Sequence, residues 1–378
     1  MSFGTSLLEG IALTQMTLAQ AVMILISLIL MYLAVAKGFE PLLLIPISFG
    51  MMISNVPIAG LSIYDEGGLM YYIYQGVRTV VYPPMIFLGI GIMTDFGPLI
   101  ANPKSALIGF GSQIGIFTAL GAALLLGLIP GFEGFSIHEA ASIGIIGGAD
   151  GPTAIFVTSR FAPELLSTIA IAAYSYMALV PIIQPPIMKL LTTKKERIIV
   201  MPEPKKVTQK QKIIFPIVVT LVILLLLPAA GTLVAMLMLG NLIRESGVVD
   251  RYVRTFSNDV LNVLTLLIGL AIGASATAER FLTAKTILIV VLGLFAFSFG
   301  TVGGILVAKL LCKLTNGKVN PLIGNSGVSA MPMSARTSQK MGQLYNPENH
   351  LLMHAMGPLV AGVIGSAMAA GILISWLG

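Results

Sequence analysis

Long apolar stretches separated by short polar connections run through almost the whole chain. Each approaches the roughly 20 residues that an α-helix needs to cross a bilayer. Pro228 separates two of them, so one long kinked helix is the alternative to two short ones there. The pattern predicts an all-α polytopic membrane protein with about ten transmembrane helices. These lie at about 17–36, 40–57, 78–94, 105–130, 163–190, 213–228, 229–244, 258–276, 283–311 and 350–376.

Two further segments, at about 136–160 and 315–341, are only moderately apolar. Gly, Asp, Asn, Ser and Pro interrupt both. Non-helical backbone at membrane depth is tolerated only where protein or a watery cavity covers it. We therefore expect two Gly-rich re-entrant hairpins, each entering and leaving the membrane on one side. The alternative is that both are loops that cap the helix bundle.

The chain resembles itself at a shift of about 180 residues. Residues 87–93 recur as 267–273, and 104–108 recur as 285–289. Each half contains four predicted spans, a hairpin and a fifth span, and an odd number of spans inverts the second half. This order predicts two inverted repeats, at 17–190 and 213–378. Their hairpin tips then meet near the bilayer centre, where secondary transporters build a central ion site.

Composition excludes several classes of protein. Only 10% of the 378 residues are charged, whereas a soluble domain has about a quarter. The chain cannot cover a water-facing surface, which excludes soluble enzymes, disordered tails and nucleic-acid binders.

The charges also predict an orientation. The polar stretch 191–212 contains seven Lys and Arg residues and is expected to be a cytoplasmic linker. With that placement, 18 of the 22 Lys and Arg residues face the cytoplasm, in agreement with the positive-inside rule. Segment 1–16 becomes external. It contains no Lys or Arg, so it lacks the basic start of a signal peptide, and the first span is expected to stay in the mature protein.

Asp150 is the main candidate for chemistry in the first hairpin, whose tip is Gly147–Ala154. It is the one acid of sixteen inside a re-entrant or spanning segment and far from its ends. A charge at that depth costs about 2.5–3.5 kcal/mol on insertion scales, so we expect a partner: a cation, a proton or Arg336. The alternative is a helix cap, because Pro152 suits an early helical turn.

The second tip, Asn320–Arg336, offers side-chain oxygens such as those of Asn325 and carbonyls exposed by glycine. Oxygen ligands with a single carboxylate favour Na⁺ or H⁺ over soft or divalent metals. Arg336 carries a guanidinium that can fork onto a carboxylate, although a positive-inside anchor is the alternative. A buried Tyr needs a hydroxyl partner, so Tyr176 is a candidate for the cavity wall.

The motif Gly-Gly-Ala-Asp-Gly-Pro-Thr at 147–153, with Gly-Val-Ser-Ala-Met-Pro-Met-Ser-Ala-Arg at 327–336, resembles the β subunit of the sodium-ion-translocating decarboxylases. These are the biotin-dependent oxaloacetate, methylmalonyl-CoA and glutaconyl-CoA decarboxylases, and the likeness covers essentially the whole chain. The resemblance implies a multi-pass protein of the prokaryotic cell (inner) membrane. It also implies that carboxybiotin is decarboxylated here, a proton is consumed and Na⁺ is pumped outward.

Specific roles follow from the resemblance alone. Asp150 binds Na⁺ and exchanges it for a proton, and Asn320, Gly324 and Ser329 line the ion and proton path. Tyr176 matches a tyrosine tied to coupling, and Arg336 matches an arginine suited to the carboxybiotin carboxylate. The chain has Leu359 where many members have Asn after Gly-Pro. If that Asn is a sodium ligand, a carbonyl or water replaces it here, or one site is weaker.

The expected partners also follow from the resemblance. Carboxybiotin would arrive on a biotin-carrying α subunit or a separate biotin carrier protein, not attached to this chain. A small single-span membrane subunit and an oligomeric complex are expected too. The alternative is a stand-alone Na⁺-coupled carboxylate transporter, which needs no partner. A purely structural anchor does not explain Asp150.

Overall fold

A computed structural model describes residues 12–57, 60–131 and 133–378, and within these ranges the chain is helical and contains no β-strand. The predicted external segment 1–16 lies mostly outside the described residues. The longer helices are α1 (Leu18–Lys37), α2 (Pro41–Ser54), α3 (Leu69–Arg78), α4 (Tyr82–Met93), α5 (Ala106–Ser112), α6 (Ile114–Leu126), α7 (Ile137–Gly144), α8 (Gly151–Phe161), α9 (Leu166–Leu191), α10 (Gln209–Leu226), α11 (Gly231–Ser246), α12 (Leu261–Ser275), α13 (Ala284–Leu314), α14 (Met333–Tyr345) and α15 (Leu352–Leu377).

Short helical turns fill many of the connections. They comprise the α-helical turns Ala12–Gln15, Gly97–Ala101, Lys194–Arg197, Asp250–Arg254 and Ala278–Phe281, the 3₁₀ turns Pro103–Ser105, Ile145–Gly148, Pro163–Leu165, Pro228–Ala230 and Pro321–Gly327, and the π-helical turn Thr255–Val260.

A helix lies within each of the ten apolar stretches. By length and composition, six helices of the described chain can cross a membrane, or up to eight if each of two bent pairs is one span. The bent pairs are α3 with α4, at 68°, and the two parts of α9, at 64°. The chain is therefore a multi-pass membrane protein, and the number ten stays a prediction. Pro228 separates α10 from α11, so two helices are confirmed there over one kinked helix.

Both Gly-rich segments are broken helices. In the first, α7 runs into a 3₁₀ turn, the backbone reverses at Ala149 (φ 52°), and α8 follows. In the second, the 3₁₀ segment Pro321–Gly327 is followed by extended residues and then by α14. The two arms of each segment pack against each other. We call these arms and their tips the first and second hairpins.

Two helix crossings hold the two halves of the chain together, α2 with α12 and α4 with α11. Each uses a glycine from both helices. An added Cβ at Gly50 or Gly273 would lie 2.5 or 2.0 Å from a carbonyl oxygen of the facing helix. The corresponding distances at Gly240 and Gly91 are 2.1 and 1.9 Å. Small residues thus bring the backbones into direct contact, as is common between membrane helices.

The hairpin tips are enclosed by α5, α6 and α13, which pack against one another. Gly147 of the first tip lies against the backbone of Gly115, and Gly324 of the second lies against the backbone of Gly304. Residues 147–154 of the first tip and 320–330 of the second are all buried, so these parts of both tips sit in the protein interior.

The stretch 191–212 is only partly an exposed linker. Residues 199–208 have no regular secondary structure, but Lys194–Arg197 forms a helical turn and α10 begins at Gln209. Arg197 is buried and donates to the Tyr345 hydroxyl and the Thr192 hydroxyl, both at 2.8 Å. A Thr193 capping box starts the helical turn Lys194–Arg197 within the linker.

Candidate functional site

Asp150 lies at the break of the first hairpin and is 6% exposed. It directly follows Ala149, whose left-handed backbone ends the 3₁₀ turn, and it is the N-cap residue of α8. Its Oδ1 accepts from the backbone N–H of Thr153 at 3.4 Å, and Pro152 occupies the first turn. The predicted capping role is therefore present.

The second carboxylate oxygen has a different environment. Asp150 Oδ2 accepts from the hydroxyls of Thr153 and Ser366, each at 2.7 Å. Ser366 comes from α15, so the contact joins the first hairpin to the last helix. Among the described residues no Lys, Arg or His lies within ion-pair distance of Asp150. The carboxylate is held by two hydroxyl groups and one backbone N–H.

The second hairpin contacts the first hairpin at Gly148, two residues before Asp150. Ser329 donates both its hydroxyl (2.6 Å) and its backbone N–H (3.2 Å) to the carbonyl oxygen of Gly148. Ser329 is itself buried. Of the predicted residues, Asp150 and Ser329 are the two that the fold brings together.

The two tyrosines of α9 have different neighbours. The ring of Tyr174 packs directly on Gly151, where an added Cβ would lie 2.1 Å from the ring. Tyr176 instead donates its hydroxyl to the carbonyl of Val290 in α13 and packs on Gly293. The tyrosine next to the carboxylate is therefore Tyr174, and the singled-out Tyr176 contacts α13.

Asn325 belongs to a second buried polar cluster, centred on the second hairpin. Its side-chain amide donates to Gln184 Oε1 (2.7 Å) and to the Ser334 carbonyl (3.0 Å), and its Oδ1 accepts from Ser338. Gln184 returns a hydrogen bond to the Asn325 carbonyl at 3.0 Å. This cluster ties α9 to the second hairpin.

Two other predicted ligands lie at structural positions. Asn320 caps the start of the second hairpin and donates to the carbonyls of Arg197 (3.1 Å) and Ile199 (2.8 Å). Gly324 packs on the backbone of α13. Neither Asn320 nor Gly324 belongs to the hydrogen-bond network of Asp150, and their role as sodium ligands stays a prediction.

Arg336 is exposed on α14, and no ion pair to it occurs in the part of the chain that the structure describes. It therefore does not neutralise Asp150. The exposed Arg336 guanidinium remains available to the carboxylate of another molecule.

Leu359 is fully buried in an apolar cluster that includes Ile108 and Leu322.

Sequence reasoning missed Ser366, Gln184 and the position of Tyr174. Ser366 stands in a long apolar stretch, where a serine commonly bonds to its own helix, as this one also does with the Val363 carbonyl at 3.0 Å. Thr153 stands within the quoted tip motif, three residues after an N-cap acid, and that spacing was the available signal.

The site can hold a hard cation. It combines one buried carboxylate with hydroxyl and carbonyl oxygens and no sulfur or imidazole. Such oxygens suit Na⁺, and a single negative charge suits a monovalent ion. Fold and site together define the class: an all-helical, multi-pass membrane protein with a carboxylate buried at the break of one broken helix, close to its contact with a second.

The comparisons specify the family. Residues 19–377 match the family described as Na⁺-transporting oxaloacetate decarboxylase beta subunit. The chain is 54% identical over 361 residues to the methylmalonyl-CoA decarboxylase subunit beta of Veillonella parvula, covering 96% of this chain and 94% of the relative. It is 53% identical over 374 residues to the glutaconyl-CoA decarboxylase subunit beta of Acidaminococcus fermentans, covering 99% and 97%.

A third relative, the oxaloacetate decarboxylase beta chain of Klebsiella pneumoniae, is 45% identical over 426 aligned positions, with 98% of each chain covered. The chain therefore belongs to the family of Na⁺-transporting decarboxylase β subunits, and the predicted resemblance is confirmed.

Proposed function

We propose that this chain is the membrane subunit that decarboxylates carboxybiotin delivered by a partner, consumes a proton and couples this to outward Na⁺ transport. The observation that carries the proposal is Asp150, a buried carboxylate whose Oδ2 accepts from two hydroxyls at 2.7 Å. A carboxylate that is buried without a cationic side chain needs a bound cation or a proton to offset its desolvation. Binding the two in turn is the elementary step of a Na⁺/H⁺ exchange.

An inverted repeat supports the transport part of the proposal. Under the predicted correspondence, α2 matches α11, α4 matches α12, and the pair α5 and α6 matches α13. If a pseudo-two-fold axis relates the two repeats, each contact between a helix of one repeat and a helix of the other must recur between the two matching helices. Both α2–α12 and α4–α11 cross, and α9–α13 packing is matched by α15–α5 packing. The two crossings that glycines mediate, α2–α12 and α4–α11, are related in this way. We infer ten spans and two re-entrant hairpins from this arrangement.

Arg336 is the residue that we propose for carboxybiotin. Its exposure and its lack of an ion-pair partner among the described residues fit a guanidinium that accepts an incoming carboxylate. Carboxybiotin, when bound, supplies the carboxyl group that leaves as CO₂. The role of Arg336 is to bind and orient that carboxylate.

Coupling rests on the contact between the hairpins. We propose that Asp150 alternates between Na⁺ and a proton, so that chemistry and transport share one carboxylate. Ser329 would sense this change through Gly148, the neighbour of the Asp150 turn. Movement of the hairpins relative to the surrounding helices would open the site to alternate sides. Tyr176, Asn320, Gly324 and Asn325 are kept as proposed participants along this path.

The partners in this proposal are a biotin-carrying α subunit or a separate biotin carrier protein, a small single-span membrane subunit, and an oligomeric assembly. An acidic partner can dock on the exposed lysines of the linker, which we place in the cytoplasm of a prokaryotic cell. Arg197 is excluded from this surface because it is buried. The lysines are Lys194, Lys195, Lys205, Lys206 and Lys210.

Purification of the chain from its native membrane tests the proposal. We expect a biotinylated protein to co-purify, and the preparation to show Na⁺-stimulated decarboxylation that avidin abolishes. A chain that purifies without a biotinylated protein and catalyses carboxylate counterflow by itself would instead be a stand-alone transporter.

A further inference from the structure

Gln113 is a buried amide at the break between α5 and α6, and it is 6% exposed. Its Nε2 donates to the carbonyls of Gly109 (3.0 Å) and Gly362 (3.3 Å). Two hydrogen bonds to separate helices fix the plane of the amide. The direction of Oε1 is therefore set by the fold.

That oxygen has no hydrogen-bond partner although it is buried. Burying an amide oxygen without a partner is costly, and native proteins rarely leave one in that state without a reason. The two Nε2 hydrogen bonds explain why the residue is an amide that links α5 to α15. They do not explain the unpaired Oε1.

The unpaired oxygen lies close to Gly148, two residues before Asp150. The point where a Cβ on Gly148 would stand is 3.7 Å from Gln113 Oε1 and 3.1 Å from the Ser366 Cβ. Ser366 donates to Asp150 Oδ2, and Gly148 accepts from Ser329. Gln113 Oε1 thus lies beside the place where the first tip, α15 and Ser329 meet.

We propose that Gln113 Oε1 is a ligand of the Na⁺ ion held by Asp150, an inference that rests on the proposed function. An amide oxygen is a hard, neutral donor of the type that Na⁺ prefers. As a neutral ligand, it adds coordination without a second negative charge, which keeps the site selective for a monovalent ion.

Two substitutions separate this role from a purely structural one. Gln113→Met removes the oxygen and both donors, whereas Gln113→Glu removes the donors and keeps an oxygen. The measurement is the thermal unfolding midpoint of the purified complex as Na⁺ replaces K⁺ at constant ionic strength. We expect both variants to lower the midpoint in K⁺, because both lose the Gly109 and Gly362 bonds.

The Na⁺ dependence distinguishes the variants. Gln113→Met is expected to raise the Na⁺ concentration for half-maximal stabilisation at least tenfold, while Gln113→Glu stays within a few-fold of wild type. If Gln113→Met does not accumulate, Gln113→Asn, which retracts the oxygen by one methylene, should show the same loss. Asn241→Leu is the matched control, since Asn241 is a buried amide whose Oδ1 is also unpaired and whose Nδ2 donates to the Thr94 carbonyl. It should leave the Na⁺ dependence unchanged.

Unchanged Na⁺ dependence in Gln113→Met, alongside its loss in Asp150→Asn, would overturn this inference and leave the proposed function intact. If Asp150→Asn also keeps the Na⁺ dependence, the proposed ion site is wrong and this inference falls with it.

Discussion

Asp150 combines a local structural task with a charge that the task does not require. As an N-cap it accepts from the Thr153 N–H through Oδ1, and Ser or Asn would serve equally well. Oδ2 instead accepts from Thr153 and Ser366 hydroxyls, which converge on one oxygen. At the residue scale, capping uses Oδ1, and Oδ2 is the oxygen that we propose binds the ion.

Glu40 is an acid of a different kind, at the connection between α1 and α2. It has no side-chain capping bond and lines a small cavity with Tyr174 and Ser175. Burial raises the pKa of the Glu40 carboxyl above its ordinary value of 4.5. The folded state therefore binds the proton more tightly than the unfolded state, and the ionised form destabilises the fold.

Glu40→Gln should consequently raise the thermal unfolding midpoint at pH 7. The difference from wild type should shrink as pH falls and vanish below about pH 4.5, where Glu40 is protonated in both states. Glu279→Gln, which alters an exposed acid, is the control and should leave the midpoint unchanged. A Glu40→Gln variant that is less stable at pH 7 would show an unrecognised partner for the carboxylate.

Helix positions could be predicted from the sequence, whereas contacts between helices could not. Apolar length alone placed a helix in every predicted span, and Gly-rich polar interruptions located both broken segments. Ser366, Gln113 and Tyr174 escaped prediction because their roles depend on tertiary contacts. Tyr174 and Tyr176 illustrate this, since two residues apart on a helix point about 200° apart and meet different partners.

At the element scale, glycine determines how closely the halves approach. A Cβ on Gly91 would lie 1.9 Å from the Leu237 carbonyl oxygen, and backbone cannot move aside as a side chain can. Gly121 in α6 offers a matched control, because nothing lies within 4 Å of an added Cβ there.

Gly91→Ala is expected to destabilise the protein by about 2 kcal/mol or more through this overlap. Gly121→Ala should stabilise it by about 0.5–1 kcal/mol, because alanine favours the helix over glycine. Unfolding in mixed micelles measures both. Equal effects of the two substitutions would argue against the close α4–α11 crossing.

At the scale of the whole molecule, the predicted inverted repeat has a consequence for sidedness. With the linker proposed to be cytoplasmic, it predicts that the α12–α13 connection lies outside. Cys312, the single cysteine, is buried, so a Cys312→Ala background permits site-specific labelling. Lys205 and Glu279 are exposed reporters on these two connections.

In that background, Glu279→Cys should react with a membrane-impermeant maleimide in intact cells. Lys205→Cys should react only after permeabilisation. The opposite result would reverse the orientation, and reaction of both in intact cells would place the two connections on the same side and contradict the inverted topology.

The central claim is that one carboxylate serves both ion transport and decarboxylation. The most direct measurement uses proteoliposomes that contain the whole complex with Asp150→Asn, with radioactive Na⁺ uptake and CO₂ release followed together. We predict that both activities are lost while the complex still assembles. Na⁺-stimulated CO₂ release retained in Asp150→Asn would contradict it.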